Sequence, residues 1–288
     1  MKSIYTLLPD IQEILSSKGG WFTDDLSREF ADEISQRLRG QFQERTEART
    51  LRLSQMGPRC PKALWHSLYT PEEAERLPPW AEFKFAFGHI IEGLAVAFAK
   101  AAGHEVTGEQ DAVSVGGVIG HRDCIIDGCL VDVKSASSFS FNKFKDGSIA
   151  ESDTFGYLDQ LDGYLVGSAD DPLLRVKDRA YLLAVDKQLG HMCLYEHRLR
   201  KNSIIQRVEE YKKVAGLPNA PRCTCGTKLV GASGNIGLDV RASYSPYKFN
   251  CFPSLRTFLY SKGPVYLSHV EKVPDVPEID RYGQPVFH

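Results

Sequence analysis

Asp123, Asp132 and Lys134 are the residues whose types and spacing suit chemistry: two carboxylates able to hold a divalent cation, and a lysine able to stabilise negative charge beside it. They sit in the segment from Gly120 to Lys134, where an Asp127-Gly128 dipeptide separates two β-favouring runs. A two-residue turn there sets Ile126 opposite Cys129, Cys124 opposite Val131, Asp123 opposite Asp132 and His121 opposite Lys134. Strand alternation then places His121, Asp123, Asp132 and Lys134 on one face. Cys124, Ile126, Cys129, Val131 and Val133 share the other, while Ile125 and Leu130 are apolar exceptions on the polar face. Facing carboxylates repel unless something cationic sits between them, and a divalent metal fits that need. A solvated hairpin with scattered charges is the alternative. It accounts for the apolar back face but not for the convergence of two acids and a lysine on the front.

The elements that must position this hairpin follow from periodicity and breaks. Thr23 reads as an N-cap, with Asp24 and Asp25 in the first turn and Leu26, Phe30, Ile34, Leu38 and Phe42 marking an amphipathic helix. Gly57-Pro58 and then Pro78-Pro79 break the chain before a long helix expected from about Trp80 to Ala102. That helix is apolar nearly all round beyond its first turn and is therefore expected to be buried. Its one acid beyond that turn is Glu92, flanked by Gly88, Ala95 and Ala99, and a buried acid is costly unless paired or bound to metal. A β-like stretch spans Ala112 to Gly117. After the hairpin come Phe139, Phe141 and Phe144 with Lys143 and Lys145, which read either as core aromatics or as a lip contacting single-stranded DNA.

A helix expected from Thr154 to Val166 carries Gln160 and Tyr164 one turn apart on one face. Tyr181 to Val185 reads as a buried strand that His191 to Tyr195 could join, and Leu199 to Ala215 as an amphipathic helix. Beyond Gly263, Pro264, Pro274, Pro277 and Pro285 suggest extended surface chain or a loose tail.

Composition sets outer bounds. The chain of 288 residues, 42% hydrophobic and 25% charged, suits a soluble globular protein of one large or two modest domains. A net charge of -2 argues against binding nucleic acid through bulk electrostatics, and leaves room for a local basic groove. No apolar run reaches membrane-spanning length, and Met1 to Tyr5 lacks the apolar core of a signal peptide, so a cytoplasmic protein is expected. Seven cysteines, an odd number spread along the chain, suit a reducing compartment.

In order, Glu92 on a helix, Asp123 and Asp132-Val133-Lys134 on a hairpin, and Gln160 and Tyr164 on a following helix resemble the PD-(D/E)xK nuclease superfamily. Within it the match is to the RecB-type branch, which includes Cas4-like and phage exonucleases, over roughly Trp80 to Tyr195. The resemblance implies that Glu92, Asp123, Asp132 and Lys134 are catalytic, with Mg²⁺ or Mn²⁺ held by Glu92, Asp123, Asp132 and the Val133 carbonyl. It also implies DNA-binding or supporting roles for His89, His121, Gln160 and Tyr164, to which Lys143 and Lys145 are added. Three carboxylates with water completing the shell suit such a hard cation.

Cluster-bearing members of that branch hold a [4Fe-4S] cluster with one cysteine before the core and a C-x-x-C-x-x-x-x-x-C element near the end. Here Ala242 and Ser245 stand where two of those ligands would be, while Cys60 and Cys251 remain. Two thiolates do not hold such a cluster, so none is expected, its stapling being replaced by packing. Cys223-Thr224-Cys225 with Cys60 and Cys251 could form another four-thiolate site for zinc or a cluster, against buried free cysteines as the default.

The expected fold class is therefore α/β: a restriction-endonuclease-like core with a central mixed sheet flanked by helices. Residues 1–79 are expected to form a helical N-terminal extension, 80–215 the nuclease core, and 216–288 a degenerate cluster-domain remnant with an extended tail. The implied function is a metal-dependent DNA exonuclease acting on free ends in recombination, repair or phage replication, away from membranes and with a recombination or single-strand-binding protein as a compatible partner. The alternatives are a non-catalytic DNA-binding or scaffold subunit and a restriction-type endonuclease.

Overall fold

A computed structural model describes residues 2–43 and 49–287. From the N-terminus the elements are α1 (Leu7–Ser16), α2 (Asp24–Phe42), α3 (Pro61–Tyr69) and α4 (Pro79–Ala101), then β1 (Val106–Thr107), β2 (Ala112–Val115) and β3 (Val118–His121). The hairpin follows as β4 (Cys124–Ile126) and β5 (Cys129–Ala136), then α5 (Ser138–Lys145), α6 (Ile149–Ser152), α7 (Tyr157–Gly167), β6 (Val176–Asp186) and β7 (Met192–Arg198). The remainder is α8 (Lys201–Ala215), β8 (Thr227–Val230), β9 (Asn235–Leu238), α9 (Val240–Ser243), α10 (Lys248–Cys251), β10 (Arg256–Tyr260), β11 (Gly263–His269) and β12 (Glu278–Ile279).

These elements divide into two compact units. One gathers the chain through α2 with Arg52–Gly57 and Pro78–Val208; the other gathers Pro58–Leu77 and Glu209–His288. Residues 1–79, expected as one extension, are thus shared between the two, and the chain passes from one to the other within α8.

The Asp127-Gly128 turn organises the first unit. Asp127 has φ 51° and Gly128 φ 76°, the two positive values that a type I′ turn requires and that glycine adopts without steric cost. The resulting register pairs Ile126 with Cys129 and Cys124 with Val131, as the dipeptide predicts. Asp127 also anchors the turn: its carboxylate accepts from the Glu105 N–H at 3.1 Å and lies 2.6 Å from His104 Nδ1.

The hairpin enters a five-stranded sheet of order β1-β4-β5-β6-β7, in which β5 and β6 run parallel and the other neighbours antiparallel. One face packs Cys124, Ile126, Cys129, Val131, Val133, Tyr181 and Leu183 against apolar residues of α1 and α4. Ile125 and Leu130 point the other way yet are fully buried, so the face expected to be polar is apolar near the turn. Both sides of this sheet are covered, which is why β6 reads as an unbroken apolar run.

Two expectations need correcting here, and one open reading is decided. α4 is buried mainly in its C-terminal half: Ile91, Ala95, Val96 and Ala99 are inside, whereas Trp80, Phe83, Phe85 and Phe87 are exposed, Phe83 by 73%. Hydrophobic content alone did not say which turns have a partner. Phe141 and Phe144 are buried, as the core reading of these aromatics has it, and of the alternative lip only one ring, Phe139, is displayed, 76% exposed with Lys143 Nζ 5.2 Å from its centre. Finally, the chain beyond Gly263 is not a loose tail. It supplies β11 and β12 to a second five-stranded sheet of order β12-β10-β11-β9-β8, all antiparallel, in the second unit. No helix among the described residues is long and apolar enough to cross a membrane.

Gly120, in β3, shows how tightly neighbouring elements close on the β2–β3 ribbon that leads into the hairpin. A Cβ at this position would lie 2.7 Å from Leu53 Cβ and 2.8 Å from Tyr164 Cε1, inside any tolerated contact. Gly120→Ala is therefore expected to cost about 1–3 kcal/mol by overpacking. The check is urea denaturation, where the midpoint falls at unchanged slope; an unaltered midpoint would mean that the approach is looser than described.

Candidate functional site

Asp132 is the centre of the site. It sits mid-strand in β5, side chain 1% exposed, on the face toward α7. Gln160 Nε2 donates to its Oδ1 at 3.3 Å and to the Tyr164 hydroxyl at 2.8 Å, so these two residues, one turn apart on α7, reach the hairpin as the sequence spacing predicts. Lys134 Nζ lies 2.5 Å from Asp132 Oδ2 as an ion pair, and no other donor among the described residues reaches that buried oxygen.

Asp123 lies just outside the strand ladder, since β4 begins at Cys124. It does not simply oppose Asp132 across a ladder. Instead the Val133 N–H donates to Asp123 Oδ2 at 2.8 Å, tying the two acids into one corner past the end of β4. The N–H and C=O of one strand residue face the same side, so the Val133 carbonyl opens onto this edge too.

Glu92 reaches the site from α4 and is held by a residue that no sequence signal indicated. Arg37 of α2 lies 2.6 Å from Glu92 Oε1 through Nη1 and 2.6 Å from Glu33 through Nη2, and Gln110 Nε2 also donates to Glu92 at 3.3 Å. Arg37 falls within a helix whose apolar repeat explains its packing and says nothing about an ion pair 55 residues away. Tyr157 was missed as well; its ring centre lies 5.3 Å from Lys134 Nζ.

The remaining predicted residues do not converge equally. His121 pairs with Ala112 across the separate β2–β3 ribbon and is exposed, so it does not face Lys134; the hairpin register ends before it. Between them, Arg122 turns inward and is 1% exposed, bound to Asp111 at 2.7 Å, Asp171 at 2.6 Å, Ser168 Oγ at 3.1 Å and the Gly108 carbonyl at 3.2 Å. It pins the loop that delivers Asp123. His89 stands half-buried, three residues before Glu92 on α4, and Lys143 and Lys145 lie on α5.

Burial and mutual repulsion shape the charges. Burial, reinforced by Asp123 and only partly offset by Arg37, pushes the Glu92 carboxyl from 4.5 up to about 8. Burial also pushes Asp132 from 3.8 up to about 7, with Lys134 opposing and Asp123 adding to the rise. Burial would lower Lys134, but Asp132 and Asp123 outweigh it and hold the ammonium above the usual lysine range. Tyr164 is raised by burial and by Asp132, so its hydroxyl stays neutral. Buried carboxyls that would rather hold protons than repel one another, as Asp132 and Glu92 do, fit a hard divalent cation. Glu92, Asp123, Asp132 and the Val133 carbonyl are the groups that would hold it.

No model of a known protein family matches this chain, and none of the curated proteins matches its sequence. Among solved structures it is similar to SSO0001, at TM-score 0.43 and 16% identity over 77% of this chain and 95% of that one. It is also similar to the alkaline exonuclease LHK-Exo of Laribacter hongkongensis, at TM-score 0.38 and 12% identity over 67% of this chain and 90% of that one. A phage-related exonuclease of Haemophilus somnus aligns at TM-score 0.31 and 12% identity over 72% of this chain and 89% of that one.

The raised carboxyls give the metal-free protein a defined pH response. Folded Asp132 and Glu92 titrate near 7 and 8 instead of 3.8 and 4.5, so across that interval the folded state binds more protons than the unfolded chain. Their contribution to stability is therefore complete at acid pH, below the unfolded values, and lost as pH rises through the folded ones. In EDTA, the urea midpoint of wild type should fall more steeply between about pH 5 and pH 8 than that of Asp132→Asn, which cannot ionise there. Parallel pH profiles for the two proteins would contradict the assignment.

Proposed function

We propose that this protein is a metal-dependent deoxyribonuclease of the PD-(D/E)xK type, in its RecB-like branch, and that it processes DNA ends as an exonuclease. The observation that carries the reading is the corner itself: a buried Asp132 whose Oδ2 meets the Lys134 ammonium two residues on, and Asp123 fixed beside it through Val133. The order of Glu92, the hairpin acids, Gln160 and Tyr164 along the chain supports the branch.

Bound at the carboxylates, Mg²⁺ or Mn²⁺ would polarise a phosphodiester oxygen and make a coordinated water more acidic. The chain's own groups account for the rest. Asp123 is oriented by the Val133 N–H, so its carboxylate needs little reorganisation to serve as a ligand. Lys134 stays cationic and cannot accept a proton; its role is to hold a nucleophilic water and to stabilise the negative charge that develops on phosphate. Gln160 fixes the Asp132 carboxylate through its amide and keeps the Tyr164 hydroxyl in the same cluster. Arg37 holds Glu92 in place and limits the rise of its proton affinity. Phe139, exposed on α5, with half-buried Lys143 beside its ring, offers a ring and a cation to a DNA strand.

Linear single- and double-stranded DNA and closed circles, incubated with protein and Mg²⁺ or Mn²⁺, test the proposal. Linear DNA should be degraded from its ends, with Asp132→Asn and Lys134→Ala each reducing the rate by about a hundredfold or more. Cutting of closed circles at defined positions would replace the exonuclease with a restriction-type endonuclease. Binding without degradation by the wild type would leave a non-catalytic DNA-binding subunit.

A further inference from the structure

We infer that Cys60, Cys223, Cys225 and Cys251 hold one tetrahedral zinc ion that staples the second unit. Their four sulfurs lie within 4.8 Å of one another. Cys60 Sγ stands 3.8 Å from both Cys223 Sγ and Cys251 Sγ, and all four cysteines are free. A disulfide would bring two sulfurs to about 2.05 Å, so this is not a pair awaiting oxidation.

The separations distinguish a single ion from a cluster. Zinc–sulfur bonds of about 2.3 Å at tetrahedral angles put the sulfurs about 3.8 Å apart, the spacing seen around Cys60. A four-iron cube places each thiolate on a different iron and spreads the sulfurs beyond the edge of a single tetrahedron. Four soft thiolates form a closed coordination set with no position for water or substrate, which is the donor set of a structural ion and not of a hydrolytic one.

Hydrogen bonds to sulfur point the same way. The Thr224 N–H donates to Cys60 Sγ at 3.3 Å and the Cys225 N–H to Cys223 Sγ at 3.3 Å. Backbone donors aimed at sulfur favour thiolate over thiol, and they fold the short Cys223-Thr224-Cys225 stretch so that both of its sulfurs meet the other two. A zinc here would overturn the expectation that packing alone replaces the cluster's stapling.

The location gives the ion a purpose. Cys60 directly precedes α3, Cys223 and Cys225 lie before β8, and Cys251 ends α10, so one ion would join segments 163 and 191 residues apart. The second unit is built from separated pieces around a short list of buried apolar side chains, Leu64, Leu68, Leu238, Phe258 and Leu267 among them. Small cores of this kind gain most from a metal clip.

Metal analysis of the full-length protein, purified with and without oxygen from zinc-supplemented cells, tests the inference. One zinc per chain is expected under both conditions. It should survive in Cys193→Ser, outside the cluster, and fall to background in Cys225→Ser and Cys251→Ser. Should those variants fail to fold, wild type decides: titration with an organomercurial should release one zinc to a chromogenic chelator, and Co²⁺ replacement should give the thiolate charge-transfer and intense visible bands of a tetrahedral sulfur site. Wild type with no stoichiometric metal, with iron and sulfide, or with a single iron would each overturn the zinc assignment. None of these readouts depends on nuclease activity or on the hairpin carboxylates.

Discussion

A carboxylate buried in the middle of a covered sheet is the constraint around which the first unit is arranged. Asp132 occupies such a position, with Asp123 beside it and Glu92 close enough to feel both. Left uncompensated, one such charge costs several kcal/mol and a group of them more. The fold compensates locally: Lys134 faces Asp132, Arg37 faces Glu92, and a backbone N–H serves Asp123. It does so incompletely, since Asp132 and Glu92 hold their protons to near neutrality. An arrangement that is destabilising by itself and coherent around a bound cation has the character of a functional site, where local rules are broken for chemistry.

The surrounding elements are anchored from behind, which leaves their working faces free. On α7, Asp162 is fully buried and binds His197 Nε2 at 2.7 Å and Arg200 Nε at 2.8 Å, while Asp159 binds Arg200 Nη2 at 3.1 Å. Gln160 and Tyr164 project from the opposite side of the same helix toward Asp132. Arg122 fixes the loop before Asp123, and Asp127 with His104 fixes the turn after it. The helix carrying Gln160 and Tyr164, the loop before Asp123 and the turn of the hairpin are thus each fixed by ion pairs or hydrogen bonds within the first unit.

Much of this was legible because the signals were local. The Asp127-Gly128 turn carries its own register, Glu92 stands out as an acid in an apolar helix, and Gln160 and Tyr164 are spaced by one helical turn. The misses were non-local. Arg37 meets Glu92 only after two helices pack, and Arg122 looks like any surface arginine until its four partners converge. The strands of the second sheet are short and broken by glycine and proline, so their alternation was too brief to oppose the reading of a loose tail. Extending the hairpin register to His121 failed for a similar reason: pairing logic holds only as far as the ladder does.

The two units therefore present opposite donor sets, hard oxygen at the hairpin and soft sulfur at the cysteines, which would sort different ions by chemistry alone. The central claim concerns the hairpin, that its carboxylates exist to bind a hard divalent cation. Calorimetric titration of Mn²⁺ into metal-free protein near pH 7, in buffers of different protonation enthalpy, tests this most directly. Saturable binding with protons released to the buffer is predicted for wild type, and loss of both for Asp132→Asn. Equal Mn²⁺ binding by the two proteins, with no proton release, would contradict it.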